Sequence, residues 1–211
     1  METLQHILAK KLLQLKAFSV QIHNPFTWGN GWKAPTYFDD RKILSYPAAR
    51  NFVKLELARI VAEKYPDADV IAGVAVNAIA HSTLVAEQLG LPLVYVYPTP
   101  KDHGLENQIE GDLRPHQNVV IIENQVNVGS YVMKVVEAIR NNGCKVLGVV
   151  SLYNYQFEDA MRKFADADVE LTALTDYKTV GEKAIQMGIL TEENRKIVEE
   201  WHKNPAAWSL K

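Results

Sequence analysis

The chain has 211 residues, 47% hydrophobic and 23% charged, with a formal net charge of −2. That balance fits a single globular domain over 1–211 with a full core. It excludes the basic footprint that nucleic acid or an anionic membrane surface would require. The one cysteine, Cys144, excludes an internal disulfide framework and suits a cytoplasmic protein.

In chain order, "METLQHILAKKLLQLKAF" alternates apolar and charged residues at helical spacing. Neither a secretory leader nor a membrane span is expected, because no apolar run is continuous enough. Residues 17–45, with "NPFTWGNGWKAPTYFDDRK", are too long and aromatic for a simple connector. Pro35 sets Ala34 extended, and strand alternation would then put Lys33 and Tyr37 on one face. A charged edge strand is the plainer alternative. A helix is predicted over 46–65. Continuously apolar runs follow at 69–76, 92–97, 118–123, 145–151 and 169–175, as strands buried on both faces read. Helical patterns at 79–90, 130–143 and 156–167 separate them, and "QLG" and "NNG" supply glycine stops. Cys144 heads one of the apolar runs, where packing is its expected role. The alternation predicts a parallel sheet with ligands beyond the C-terminal strand ends. That directs attention to residues 74–79, 97–111 and 123–130. From Tyr177 on, the chain has helical periodicity, and Trp201 and Trp208 are expected to pack rather than react.

Several chemistries are not signalled. There is no Gly-Lys-Ser/Thr and no G-x-G-x-x-G after a strand, and "GNG" at 29–31 is only a turn. The histidines at 6, 23, 81, 103, 116 and 202 make no metal-ligand spacing, so no metal ligands are assigned. The long polar connection "YPTPKDHGLENQIEGD" carries Lys101 and His103 and reads as a lid or as a solvated loop. "VVIIENQVNVGSY", 119–131, has the build of a phosphate cradle: strand, acid, short loop, helix. A second acid after Glu123 is missing.

Together, "GWKAPTYFDDR", "LSYPAAR", "KDHGLENQIEGDL" and the 119–131 stretch resemble the orotate phosphoribosyltransferases over nearly the whole chain. The terminal "EEWHKNPAAW" is similar to one bacterial subgroup. The resemblance implies an α/β type I phosphoribosyltransferase fold. In it, a central parallel sheet is flanked by helices, with a small N-terminal hood, mainly 17–45, and a mobile loop at 97–111. It implies transfer of phosphoribosyl from phosphoribosyl pyrophosphate (PRPP) to orotate, giving orotidine monophosphate and pyrophosphate in pyrimidine biosynthesis. Mg2+ would enter with PRPP, and a homodimer would share the mobile loop. Lys101 and His103 carry over as the catalytic groups of that loop. Lys33 and Tyr37 carry over from the hood, and Glu123, Asn124, Asn127, Val128, Gly129, Ser130 and Tyr131 from the substrate cradle. Ala75, Val76, Asn77 and Ala78 carry over as the pyrophosphate loop.

The departures cluster at the ligand. Asn124 stands where the family has aspartate, Val128 where it has threonine, and Tyr131 where it has a small hydroxyl residue. "GVAVNAI" replaces a threonine, a small residue and a glycine with Val76, Asn77 and Ala78. Tyr97 replaces an arginine and Pro98 a lysine, and "LYNYQF" lacks the arginine many relatives carry. Two expectations follow: weak orotate phosphoribosyl transfer, or a catalytically inactive homologue acting as a ligand-binding, regulatory or hetero-oligomer partner.

Overall fold

The computed structural model describes residues 3–100 and 107–208. It begins with α1 (Leu4–Gln14), β1 (Phe18–Val20), β2 (Phe26–Thr27), β3 (Lys33–Ala34), β4 (Thr36–Phe38) and the single turn α2 (Arg41–Leu44). The alternating part follows: α3 (Pro47–Lys64), β5 (Val70–Val74), α4 (Ile79–Leu89), β6 (Leu93–Val96), β7 (Ile109–Glu110), β8 (Asn118–Val126), α5 (Ser130–Asn141), β9 (Lys145–Asn154), α6 (Glu158–Asp166) and β10 (Leu171–Asp176). Helices α7 (Tyr177–Gln186) and α8 (Glu192–Lys203) come last. The chain divides into two compact units. One holds the described residues up to Pro47 with those from Thr175 onward; the other is Ala48–Leu174.

The first unit is held by local capping and aromatic packing. The Thr3 hydroxyl accepts from the His6 amide and starts α1, and the Asp176 carboxylate accepts from the Thr179 amide and starts α7. Trp201 is fully buried, meets Trp28 edge-on at 5.4 Å and donates from Nε1 to the Lys33 carbonyl at 2.9 Å. The expected continuous strand through Lys33 and Tyr37 does not form. Pro35 has no N–H for a ladder, and its carbonyl accepts from the Gln21 amide at 2.7 Å. The segment therefore breaks into β3, paired with β2, and β4, paired with β1.

The second unit is built on the sheet, in the order β10-β9-β8-β5-β6-β7. β5 runs parallel to β6 and β8, and β8 parallel to β9; β7 is an antiparallel edge strand on β6. All five residues of β5 are buried, as the continuous apolar run predicts. The helices bury one stripe each. In α5 these are Val132, Val135, Val136 and Ile139, at i, i+3, i+4 and i+7. Pro47 sits at the first position of α3, where its missing N–H costs nothing. The predicted glycine stops, Gly90 and Gly143, both take positive φ, 66° and 80°. At Gly73 an added Cβ would lie 2.1 Å from Ser82 Oγ, so only glycine lets α4 lie this close to β5.

Two boundaries differ from those the sequence predicts. β8 and β9 run on past residues 123 and 151, to Val126 and Asn154, because Glu123, Gln125 and Val126 pair with Ser151, Tyr153 and Asn154. Glu123 is therefore a mid-strand residue. In the long connection after β6, Tyr95 and Val96 pair with Glu110 and Ile109, so its foot is a hairpin.

Candidate active site

From β5 the chain moves outward to β6 and β7, then returns past β5 to β8, β9 and β10. The switch falls between β5 and β8, where an open parallel sheet leaves a crevice beyond its strand ends. β5 makes its last pair with β8 at Gly73↔Ile122. Beyond it, the Ala75 amide turns to the Val96 carbonyl of β6, and loop 75–78 follows. The Asn124 carboxamide donates from Nδ2 to the Asn77 carbonyl at 2.7 Å and ties that loop to β8.

The resulting cleft is about 140 Å³ and is lined by Asn77, Asn124, Gln125 and Asn127, four carboxamides, with Glu123. Glu123 is 8% exposed, and its Oε1 accepts from the Asn124 amide at 2.7 Å. That bond gives the buried oxygen a donor. The lining offers neutral donors and acceptors where a paired acid would concentrate negative charge.

The wall opposite is the start of α5. Gly129 is its N-cap with φ at 74°, a left-handed conformation that a side chain would strain. The first turn holds no acidic residue, and its outward N–H groups, at Ser130, Tyr131 and Val132, form a seat for an anion. The Val128 amide is accepted by Asn127 Oδ1 at 2.6 Å. Ser130 is exposed, and Tyr131 is 68% exposed on the rim. In the facing loop the Ala75–Val76 peptide is cis. The Ala75 amide donates to the Val96 carbonyl at 2.9 Å and the Ala78 amide to the Val74 carbonyl at 3.0 Å.

The remaining candidates are Lys33, Tyr37, Lys101 and His103. Lys33 and Tyr37 belong to the first unit. Lys33 is exposed and donates from Nζ to Thr27 Oγ1 at 2.7 Å; the half-buried Tyr37 ring lies 5.3 Å from Phe26. Lys101 and His103 fall outside the described residues. Sequence reasoning missed Lys163. Its ammonium donates to the Val128 carbonyl at 2.7 Å and to Ser130 Oγ at 3.1 Å. The available signal was a lysine set between the buried Ala160 and Phe164 on one face of α6.

Burial pulls the His81 imidazole down to about 4, so this residue of α4 is neutral at physiological pH. Among the described residues no group of three His, Cys, Asp or Glu side chains could hold a metal. A larger depression, about 620 Å³, opens at the N-terminal strand ends between Lys64, Tyr65, Lys145 and Glu170. Lys64 is committed there to Glu170 and Thr172, and Glu170 is held below the usual carboxylate range by the Lys64 hydrogen bond. The C-terminal cleft is the one with an anion seat.

The sheet order, the carboxylate at the switch point and the helix-capped loop define a phosphoribosyltransferase of the type I class. No protein-family model matches the chain. It is 52% identical over 208 residues to an orotate phosphoribosyltransferase of Phocaeicola vulgatus, covering 99% of this chain and 98% of the relative. Over 210 residues it is 50% identical to that of Porphyromonas gingivalis, with both chains covered in full. A solved orotate phosphoribosyltransferase from Aeropyrum pernix superposes with a TM-score of 0.74 at 26% identity, over 86% of this chain and 98% of that one. The chain belongs to the orotate phosphoribosyltransferase family. The alternative of a non-catalytic homologue gains no support from these likenesses. Among the described residues no helix is long and apolar enough to cross a membrane.

Proposed function

We propose that the chain transfers the phosphoribosyl group of PRPP to orotate, in pyrimidine biosynthesis, and that it does so slowly. The observation that carries the proposal is the Asn124–Asn77 bond at the switch point. It ties the loop after β5 to the C-terminal part of β8, which leads into the loop before α5, so one ligand can span both. The C1–O bond to pyrophosphate breaks, its electron pair leaving with pyrophosphate. A C1–N1 bond to orotate forms, and the N1 proton is lost. Catalysis of this kind rests on positioning and charge stabilisation.

In this assignment Glu123 receives the ribose hydroxyls, and Asn124 and Asn127 flank them. The amides of Gly129, Ser130 and Tyr131 receive the 5′-phosphate beside Val128. The loop Ala75–Ala78 receives pyrophosphate, drawing on the amides of Val76 and Asn77, since those of Ala75 and Ala78 already donate to carbonyls. Lys101 and His103 cover the leaving group, and Lys33 and Tyr37 complete the substrate contacts. Mg2+ suits a site with few acids, because it is held largely by phosphate oxygens and water, with Glu123 the carboxylate at hand. The chain is assigned to the cytoplasm as a homodimer, with no nucleic-acid or membrane partner. Slow turnover follows from Asn124 and Val128. Each charged or buried hydrogen bond to ligand that they forgo is worth about 1.5–3 kcal/mol.

The test is orotate consumption with PRPP and magnesium, with sedimentation of the same sample. Slow magnesium-dependent formation of orotidine monophosphate by a dimer is expected. Consumption no faster than a protein-free blank would overturn the activity.

A further inference from the structure

We infer that Lys163 is a positioning residue of the phosphate seat: it holds the loop before α5 and turns the Ser130 hydroxyl into a donor for a phosphate monoester. The inference rests on the cleft being the phosphoribosyl site.

One face of α6 backs that loop. At Gly129, Ala160 and Phe164 lie 3.6 and 3.7 Å from where a Cβ would stand. Between them on the same face, Lys163 reaches the two residues that flank Gly129, donating to the Val128 carbonyl at 2.7 Å and to Ser130 Oγ at 3.1 Å. An ammonium has only donors, so Ser130 Oγ must accept from it, and the hydroxyl keeps its own proton to give. Ser130 is the one aliphatic hydroxyl in 123–131, and it sits in the first turn of α5 where the N–H groups point outward. The ammonium therefore does two things at once. It adds positive charge behind a seat that holds no arginine or lysine of its own between 123 and 131, and it orients the remaining hydroxyl toward that seat. Lys163 compensates for the hydroxyl that Val128 cannot offer.

The experiment uses the full chain with ribose 5-phosphate as probe, followed by NMR at the Gly129, Ser130 and Tyr131 amides. Lys163→Met is expected to weaken binding about tenfold, the scale of one charge-assisted hydrogen bond. Lys163→Arg should recover most of it. Ser130→Ala should weaken binding in the wild type and add little on top of Lys163→Met, since the two act as one unit. Raising salt should weaken wild-type binding more than that of Lys163→Met. In turnover, Lys163→Met should raise KM for PRPP and leave kcat within about twofold, as loss of uniform binding does. Overlapping titrations of wild type and Lys163→Met would overturn the role, as would equal losses in the Met and Arg variants. Failure of the wild type to bind ribose 5-phosphate would do the same. Lys163-dependent binding with no wild-type turnover would support the role and remove only the proposed activity.

Discussion

At position 124 a carboxamide donates where an ionised carboxylate can only accept. The Asn124 Nδ2 bond to the Asn77 carbonyl, at 2.7 Å, joins the loop after β5 to the middle of β8. An aspartate there would set two acceptors against each other beside the Glu123 carboxylate, with no donor between them. Introducing an acid there thus has a structural cost in this chain. Asn124→Asp should lower stability by about 1–3 kcal/mol in urea unfolding at pH 8. The deficit relative to wild type at the same pH should shrink on acidification. Once protonated, the introduced carboxyl regains a donor, and its raised folded-state pKa makes the variant's stability recover as pH falls. Equal stability of variant and wild type across the pH range would mean that the bond to Asn77 contributes nothing.

Among the elements, α4 is set tightly against the sheet at Gly73. Gly73→Ala would drive a Cβ to 2.1 Å from Ser82 Oγ and 2.9 Å from Ser82 Cβ. Overpacking of this kind costs about 1–3 kcal/mol. Most of that should return in the Gly73→Ala, Ser82→Gly pair, measured by thermal unfolding; the absence of any rescue would place the strain elsewhere. The same helix carries His81, 1% exposed and titrating near 4. The unfolded chain binds a proton near pH 6.5 that the folded chain refuses until about 4, so stability rises with pH between those values. His81 contributes its full stability above about pH 6.5 and should surrender up to about 3 kcal/mol as pH falls toward 4. His81→Leu should flatten that slope in urea midpoints taken at pH 7, 6 and 5, and an unchanged slope would assign it to other groups. β5 was legible in the sequence because burial on both faces leaves a continuous apolar run. The far half of β8 was not. Glu123, Asn124 and Gln125 read as a polar loop, and only pairing with Ser151 and Tyr153 makes a strand of them. Pro35 split the predicted strand through Lys33 and Tyr37 for a local reason visible in hindsight. Lys163 touches a loop 33 and 35 residues away in sequence, and no periodicity encodes such a contact.

At the scale of the molecule, a resemblance in residue types gave the family, and the strand order explains why the cleft lies between β5 and β8. The candidate cleft lies at the C-terminal strand ends, and the opposite ends carry ion pairs such as Lys64–Glu170. The burial of Trp201 against Trp28 has an optical consequence. All four tryptophans of the chain, at 28, 32, 201 and 208, belong to the unit formed by its two ends. The sheet unit, Ala48–Leu174, has none. Indole emission is therefore blind to the sheet and reports only on its companion. Circular dichroism near 220 nm sees both. If the two units melt as one, the two signals will trace the same curve against urea. If indole emission shifts first, the end-built unit has come apart while the sheet unit stays folded, and a single free energy of unfolding would not describe the molecule.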